Sequence, residues 1–292
     1  MTTTINKQEQ QYQKPSSGTI IGGIIAGTIA NRATTSVSQV IAPTFLKKIT
    51  EINSSVDADE FKKIENATEE AIKFNNLNKK VSILKATEEN TDEIKKAISK
   101  EIDKSPAKFL PKKFREVFKK MQYEQLQFGQ NAFYAPKSKK ILVPEGKFGL
   151  ALFHEIGHAI NDNLSKTCRL LQKCRIINIL ATPIAMIALF KTKKAPNHEP
   201  KNKLDKTTTF IKNNAGILTF ASFLPLLAEE YIATRKGNKL AKKLLEPKLA
   251  QKVAQSNKIG LLSYISLATF SSLGIFCGKT VKDAIAKEKA IN

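Results

Sequence analysis

The residues of this chain best suited to chemistry lie in one short stretch, His154-Glu155-Ile156-Gly157-His158. On an α-helix, His154 and His158 lie one turn apart on the same face, so both imidazoles can reach one metal ion. Glu155 lies beside them, where a carboxylate can take a proton from a metal-coordinated water and pass it to a leaving amine. Because zinc lowers the pKa of such a water from near 15.7 to about 7, the pattern predicts metal-assisted hydrolysis.

The alternative is an amphipathic helix that carries two histidines without binding a metal. Three observations favour the metal site. The chain has only three histidines, and two of them fall in the motif. Apolar residues at 148–153 would bury the start of the helix, and two extended runs at 131–134 and 140–143 precede it. A metallopeptidase sheet would supply its substrate-binding edge strand from such runs. We therefore expect one Zn2+ per chain.

A catalytic zinc ion needs a third protein ligand and one open position. His198 lies in a loop rich in lysine and proline, which is a poor place for a rigid ligand. Glu229 and Glu230 follow an apolar stretch, where two uncompensated carboxylates are costly unless a cation neutralises them. One of this pair is the best candidate; the alternative is a solvated helix end.

The elements around the motif predict a mainly α-helical protein with a small antiparallel or mixed β-sheet. Apolar residues at helical spacing indicate an amphipathic helix over 56–77, and strands are expected at 80–86, 131–134 and 140–143. Two polar helices are predicted over 90–102 and 111–127, and the motif helix over 146–161.

Three nearly uncharged apolar segments mark the second half of the chain, at 176–190, 215–228 and 259–277. Only the last reaches the roughly 20 residues that span a bilayer, and the others are closer in length to buried or re-entrant helices. The alternative is that all three are core helices of a soluble bundle. Near the N-terminus, residues 18–43 form a possible membrane-associated helix after a leader, 1–17, that we expect to be disordered.

Composition narrows the classes of function. The chain has 292 residues and 48 Lys+Arg against 26 Asp+Glu, a net charge of +22, and its 41% of hydrophobic residues excludes wholesale disorder. The lysines are spread along the chain without zinc-finger spacing or an aromatic RNA-binding box, so an anionic membrane surface suits them and nucleic acid is not an expected partner. Three cysteines without C-x-x-C spacing indicate reduced thiols in a cytosol-facing protein.

Three motifs in order resemble one family. The chain is similar in these motifs to the HtpX and CAAX-prenyl-protease family of membrane zinc metallopeptidases, which are gluzincins. The motifs are Asn131-Ala132-Phe133, His154–His158 and Glu230-Tyr231-x-Ala233, and the strand at 140–143 lies between the first two. The resemblance implies a zincin-like peptidase domain over 44–240, with a helical insertion at about 87–130 and a hydrophobic hairpin at 176–228. Basic and hydrophobic helices would follow at 241–292.

The resemblance also implies the roles of individual residues. The metal ligands would be His154, His158 and Glu230, and Glu155 would be the general base. The substrate-binding strand would contain Asn131, Ala132 and Phe133. The chain departs from the family at Thr234, where the family has an aspartate, and the segment between residues 144 and 154 is shorter than usual. Candidates for stabilising an oxyanion are Tyr231, Arg235 and His198.

Together these observations predict a zinc-dependent metalloendopeptidase with protein or peptide substrates. It would be integral to the inner or plasma membrane, in contact with lipids, with its active site on the cytoplasmic side. One alternative is a soluble zinc peptidase with buried apolar helices. Another is a catalytically silent membrane scaffold, or a basic protein that binds nucleic acid.

Overall fold

Helices dominate the structure, a computed structural model that describes residues 12–105, 108, 111–129, 131–144, 149–194, 200–287 and 289–290. The described helices are α1 (Ser17–Ser54), α2 (Ala58–Phe74), α3 (Thr91–Asp103), α4 (Lys112–Gln127), α5 (Leu152–Leu164), α6 (Lys166–Cys174), α7 (Ala181–Phe190), α8 (Lys203–Asn213), α9 (Ala215–Leu244) and α10 (Pro247–Ile285). The described strands are β1 (Tyr12–Gln13), β2 (Ser82–Ala86), β3 (Phe133–Ala135), β4 (Lys140–Pro144) and β5 (Lys289–Ala290). The predicted mainly helical class is thus confirmed.

A small mixed sheet precedes the motif helix. Its strand order is β2-β4-β3, so β3 is an edge strand among the described residues. Strand β2 pairs in parallel with β4, whereas β3 pairs antiparallel with it and places Tyr134 opposite Ile141. The β-branched and aromatic residues of these runs suit a pleated, half-buried surface, and the predicted mixed sheet is confirmed.

Helices cover both faces of this sheet because β4 alternates its side chains between two apolar clusters. Ile141 and Val143 belong to a cluster with residues of α2, α5, α9 and α10. Leu142 belongs to a second cluster with residues of α3 and α4, including Ile98 and Leu126. The period-2 alternation of a strand explains this division, and it fixes α5 against one face of the sheet.

The chain divides into two compact units, which we describe separately. The larger unit combines Ile41–Ile177 with Leu224–Ile265 and contains the sheet, α2 to α6 and the second half of α9. The smaller unit combines Met1–Val40, Asn178–Phe223 and Ser266–Asn292. Within the smaller unit, α1 and α10 touch at glycines, since a Cβ added to Gly27 would lie 2.5 Å from the carbonyl oxygen of Gly278.

The expectation that only one apolar segment is long enough for a bilayer is wrong. Three helical stretches are long and apolar enough to cross a membrane: Lys166–Phe190, Ala215–Leu244 and Pro247–Ile285. The first two gain length because helical structure continues beyond the apolar run, backward to Lys166 in one and forward to Leu244 in the other. A charged residue, Arg175 or Glu229, therefore borders each apolar run, but helical structure continues past it.

Other boundaries also differ from the predictions. The motif helix begins at Leu152, after a short 3-10 turn at Gly149–Ala151, rather than at 146. Residues 145–148 lie outside the described part of the chain. Of the predicted disordered leader, residues 1–11 also lie outside it, whereas Tyr12–Gln13 pair with Lys289–Ala290 and Ser17 begins α1.

Candidate metal centre

Two glycines allow α5 and α9 to meet backbone to backbone in the larger unit. A Cβ added to Gly157 would lie 2.1 Å from the carbonyl oxygen of Ala233, and one added to Gly237 would lie 2.3 Å from that of Phe153. Both distances are far below van der Waals contact, so a larger residue at either position forces the helices apart. The glycine inside the histidine motif thus brings α9 against the face that carries the imidazoles.

Three side-chain atoms converge where these helices cross. His154 Nε2 lies 3.0 Å from His158 Nε2, and Glu230 Oε2 lies 3.2 Å and 3.4 Å from these two nitrogens. A tetrahedral zinc ion with bonds of about 2.0–2.1 Å separates its ligand atoms by about 3.3 Å. The observed triangle has these dimensions, so the group could hold a metal ion.

Hydrogen-bond partners lie behind both imidazoles, on the side of each ring away from that point. His158 Nδ1 lies 2.8 Å from Glu229 Oε1, an ionised acceptor, so Nδ1 carries the hydrogen and the lone pair of the neutral ring is on Nε2. His154 Nδ1 lies 3.1 Å from the hydroxyl of Thr234. The Nε2 atoms of both imidazoles and a buried carboxylate therefore face one another, an arrangement that could hold a metal ion.

Glu229 and Glu230 have different partners in the structure. Both are fully buried, but Glu230 lies against the two Nε2 atoms, whereas Glu229 lies behind His158. Asn161 Nδ2 also donates to Glu229 Oε1 at 2.9 Å. Glu230 therefore has the position of a third ligand, and Glu229 positions His158.

Arg175 partly neutralises this pair of carboxylates. Its guanidinium nitrogens lie 3.2 Å from Glu229 Oε2 and 2.7 Å from Glu230 Oε1. The second contact leaves Glu230 Oε2 directed at the histidines. Sequence reasoning missed Arg175 and Asn161; the only signal for Arg175 is that an arginine opens the apolar run that ends at Phe190.

Nearby carboxylates control the protonation of His158. Burial by itself would lower the pKa of His158, but the negative charges of Glu230 and Glu229 outweigh burial and raise this pKa well above its usual value. A proton and a metal ion therefore compete for the same nitrogen, so acidification weakens metal binding at such a site.

Glu155 lies between the motif and the edge strand. Its Oε2 accepts a hydrogen bond from the backbone N–H of Tyr134 in β3 at 2.6 Å. Burial raises the pKa of Glu155, and the positive character of His158 and His154 opposes that increase. A carboxyl group whose pKa is raised is a stronger base than an exposed one, which suits a role in proton transfer.

The edge strand β3 makes a second contact with α5 through the side chain of Tyr134. The Tyr134 hydroxyl donates to Asp162 Oδ2 at 2.8 Å near the end of α5. Of the residues predicted for substrate binding, only Phe133 lies within β3, whereas Asn131 and Ala132 lead into it. The predicted edge strand therefore adjoins the motif helix.

The three oxyanion candidates do not join the cluster among the described residues. Tyr231 is 54% exposed and Arg235 is also exposed, so both face away from the buried histidines. His198 lies outside the described residues. Thr234 does contact the site, through its hydroxyl and His154 Nδ1.

Comparison with models of known protein families, with curated proteins and with solved structures finds no match to this chain. The resemblance to the HtpX and CAAX-prenyl-protease family therefore rests on short motifs. The metal centre rests on the positions of His154, His158 and Glu230.

Proposed function

We propose that this protein is a membrane-embedded zinc metallopeptidase related to the HtpX and CAAX-prenyl-protease family. One observation carries the proposal. The ligand atoms of His154, His158 and Glu230 form a zinc-sized triangle, and the buried carboxylate Glu155 adjoins the first ligand in sequence. This combination supports metal-assisted hydrolysis over a purely structural role, because a structural zinc site is closed by a fourth protein ligand and has no use for a base.

The residues have distinct roles in this proposal. His154, His158 and Glu230 hold the ion, and Glu229 fixes the ring orientation of His158. Zinc, when bound, supplies a Lewis acid that polarises the scissile carbonyl and acidifies water. Glu155 accepts the proton of the attacking water and delivers it to the nitrogen of the leaving amine.

Substrate binding is assigned to the edge strand. An extended peptide pairs with the free edge of a sheet through main-chain hydrogen bonds, which require no particular side chain. The residues proposed to receive the peptide are Asn131, Ala132 and Phe133, which precede Tyr134 in the chain; the N–H of Tyr134 itself is bonded to Glu155. This predicts protein or peptide substrates in extended form.

The apolar helices assign the protein to a membrane in this proposal. Three helices have the length and composition to span a bilayer, and Glu229 and Glu230 directly follow the apolar run of α9. The ligands would then lie close to the membrane surface. The three cysteines are free thiols, which fits a cytoplasmic active site of a plasma-membrane or inner-membrane protein.

The test combines zinc content with cleavage of casein. The full chain is purified in detergent, reconstituted with zinc, and compared with Glu230→Gln, Glu155→Gln and the exposed control Glu246→Gln. We expect stoichiometric zinc in all except Glu230→Gln. We expect chelator-sensitive cleavage only in the wild type and in Glu246→Gln, and Glu155→Gln should lose about 10²–10⁴-fold in rate.

The other outcomes test the metal centre, the peptidase activity and the membrane location separately. Zinc without cleavage in the wild type would retain the metal centre and indicate a catalytically silent membrane protein, consistent with Thr234 in place of an aspartate. Absence of zinc from the reconstituted wild type would overturn both the metal centre and the peptidase. Loss of the protein from membranes during a carbonate wash would overturn its membrane location.

A further inference from the structure

Helix α4 presents an apolar surface to solvent. Phe114, Val117, Phe118 and Met121 recur at the spacing that places residues on one side of a helix, and we call them the apolar face of α4. Each retains between 40% and 65% of its accessible surface. Phe128, directly after the helix, is 68% exposed. The sequence predicts a polar helix here because charged residues are abundant in the segment, and its overall composition does not show that the apolar residues share one face.

The other side of α4 fixes the helix to the larger unit. Leu126 is fully buried and belongs to the apolar cluster that also includes Tyr123 and Leu142. Arg115 Nη1 and Lys119 Nζ donate to the two carboxylate oxygens of Asp103 at the end of α3, at 2.8 Å and 2.9 Å. Packing on this side turns the apolar face outward.

Positive charge accompanies the exposed apolar surface. The α4 sequence contains five lysine or arginine residues and two glutamates. Lys112, Lys113 and Lys120 are exposed, and the whole chain carries a net charge of +22. A helix with aromatic residues on one face and lysines around it has the composition of helices that lie flat in the interface of anionic membranes.

We infer that α4 docks on the surface of an anionic lipid bilayer with its apolar face inserted among the headgroups. Charge complementarity selects lipid phosphates as the counter-surface. The spanning helices proposed above would hold the same chain at a bilayer, so the surface is present at high effective concentration and α4 need not bind tightly alone. This inference rests on the proposed membrane attachment but not on the metal or on peptidase chemistry.

Docking of α4 has a consequence for the substrate strand. Phe133 of β3 packs against the same cluster as Leu126 of α4. A bilayer bound to the opposite face of α4 would therefore hold β3 at a fixed distance from the lipid headgroups. The class of substrate favoured by this geometry is an extended segment of a polypeptide that lies at the membrane surface.

The test uses the absence of tryptophan from the chain. Val117→Trp places a single fluorescent reporter on the apolar face, and Glu116→Trp places one about 100° away around the same helix. Both full-length variants are reconstituted in nanodiscs of phosphatidylcholine, with or without phosphatidylserine, that carry brominated acyl chains. In anionic discs we expect about half of the Val117→Trp emission to be quenched and little of the Glu116→Trp emission, with partial recovery in high salt.

Three outcomes would overturn the inference. Equal quenching in neutral and anionic discs would remove the role of lipid charge. No quenching in either disc, with the reporter open to aqueous iodide, would show an undocked helix. No quenching in either disc, with the reporter protected from iodide, would show that protein covers the face. Met121→Trp serves as a second reporter if Val117→Trp folds poorly, and recovery of the protein with the discs separates these outcomes from failure of membrane attachment.

Discussion

Two buried groups of charges, one in each unit, differ in sign. The carboxylate-rich cluster of the larger unit contains Glu155, Glu229 and Glu230 around the two histidines and Arg175. The lysine-rich cluster of the smaller unit contains Lys212, Lys282 and Asp283. There, Asp283 Oδ1 accepts from Lys212 Nζ at 2.6 Å and from Lys282 Nζ at 3.3 Å, and Lys282 also donates to the carbonyl oxygen of Lys191.

The two clusters compensate their excess charge by different means. In the lysine-rich cluster, a backbone carbonyl satisfies Lys282, and burial lowers the pKa of Lys212 to about 7, so this group can release its proton. In the carboxylate-rich cluster, the Nε2 atoms of His154 and His158 and a carboxylate oxygen of Glu230 converge, and this group could hold a metal ion. Burial of charge alone therefore does not distinguish the two clusters; the sign and the direction of their charged groups do.

The largest effect is expected for the shared acceptor of the lysine-rich cluster. Asp283→Asn removes the negative charge that Lys212 and Lys282 share and leaves Lys282 as a buried cation, so the free energy of unfolding should fall by about 3–5 kcal/mol. Thermal melting in detergent measures this loss. Zinc content should not change. The exposed-pair control Glu246→Gln should melt close to the wild type, and equal melting of the two variants would contradict the comparison.

Removal of charge behind the metal site should weaken metal binding without abolishing it. Glu229→Gln preserves shape but loses the ionised acceptor of His158, and we expect about 10–100-fold weaker zinc affinity. Competition with a chelating dye measures the affinity. A loss as complete as that in Glu230→Gln would instead make Glu229 a direct ligand.

The pH dependence of stability distinguishes the lysine-rich cluster further. Because the pKa of Lys212 is about 7 in the folded protein and 10.5 ordinarily, the unfolded chain holds a proton that the folded protein lacks between these values. Stability should therefore rise as pH increases through this window, by about 2 kcal/mol between pH 7 and 9. Thermal melts should lose this contribution in Lys212→Met and keep it in the exposed control Lys206→Met. An identical pH profile for both variants would place the pKa of Lys212 near its ordinary value.

The smallest effect is expected for the neutral contact of the metal site. Thr234→Val keeps the shape of the side chain and removes the hydroxyl that contacts His154, so zinc affinity should fall only about five-fold. The same dye competition measures it. A loss of zinc affinity larger than that in Glu229→Gln would show that the neutral partner of His154 matters more than the charged partner of His158.

The local parts of the site could be predicted from the sequence. One helical turn separates His154 from His158, so their convergence follows from helical geometry alone. The elements before the motif were also predictable, because each has its own apolar periodicity. The family resemblance selected Glu230 over Glu229, and its position against both histidines agrees with that choice.

The parts that were not predictable depend on packing between distant segments. Arg175 lies at the start of the 3-10 segment Arg175–Leu180, which follows α6, and its guanidinium contacts Glu230. No local sequence pattern predicts this contact. The outward turn of the α4 apolar face depends on Asp103 and Leu126, which fix the other side of the helix. The lysine-rich cluster joins α8 to the end of α10, residues 71 positions apart in sequence.

The crossing glycines of α5 and α9 have a consequence for how this site can vary. Gly157 and Gly237 each stand where even one methyl group would meet backbone atoms of the other helix. The spacing of the ligands therefore depends on the absence of a Cβ atom at both positions. Because the atoms in contact belong to the backbone, no side chain can rotate away to make room for a larger residue. A substitution at either glycine would act as a spacer that opens the ligand triangle while every ligand is still present. Such a chain would keep the complete motif in its sequence and lose the geometry that could hold a metal ion.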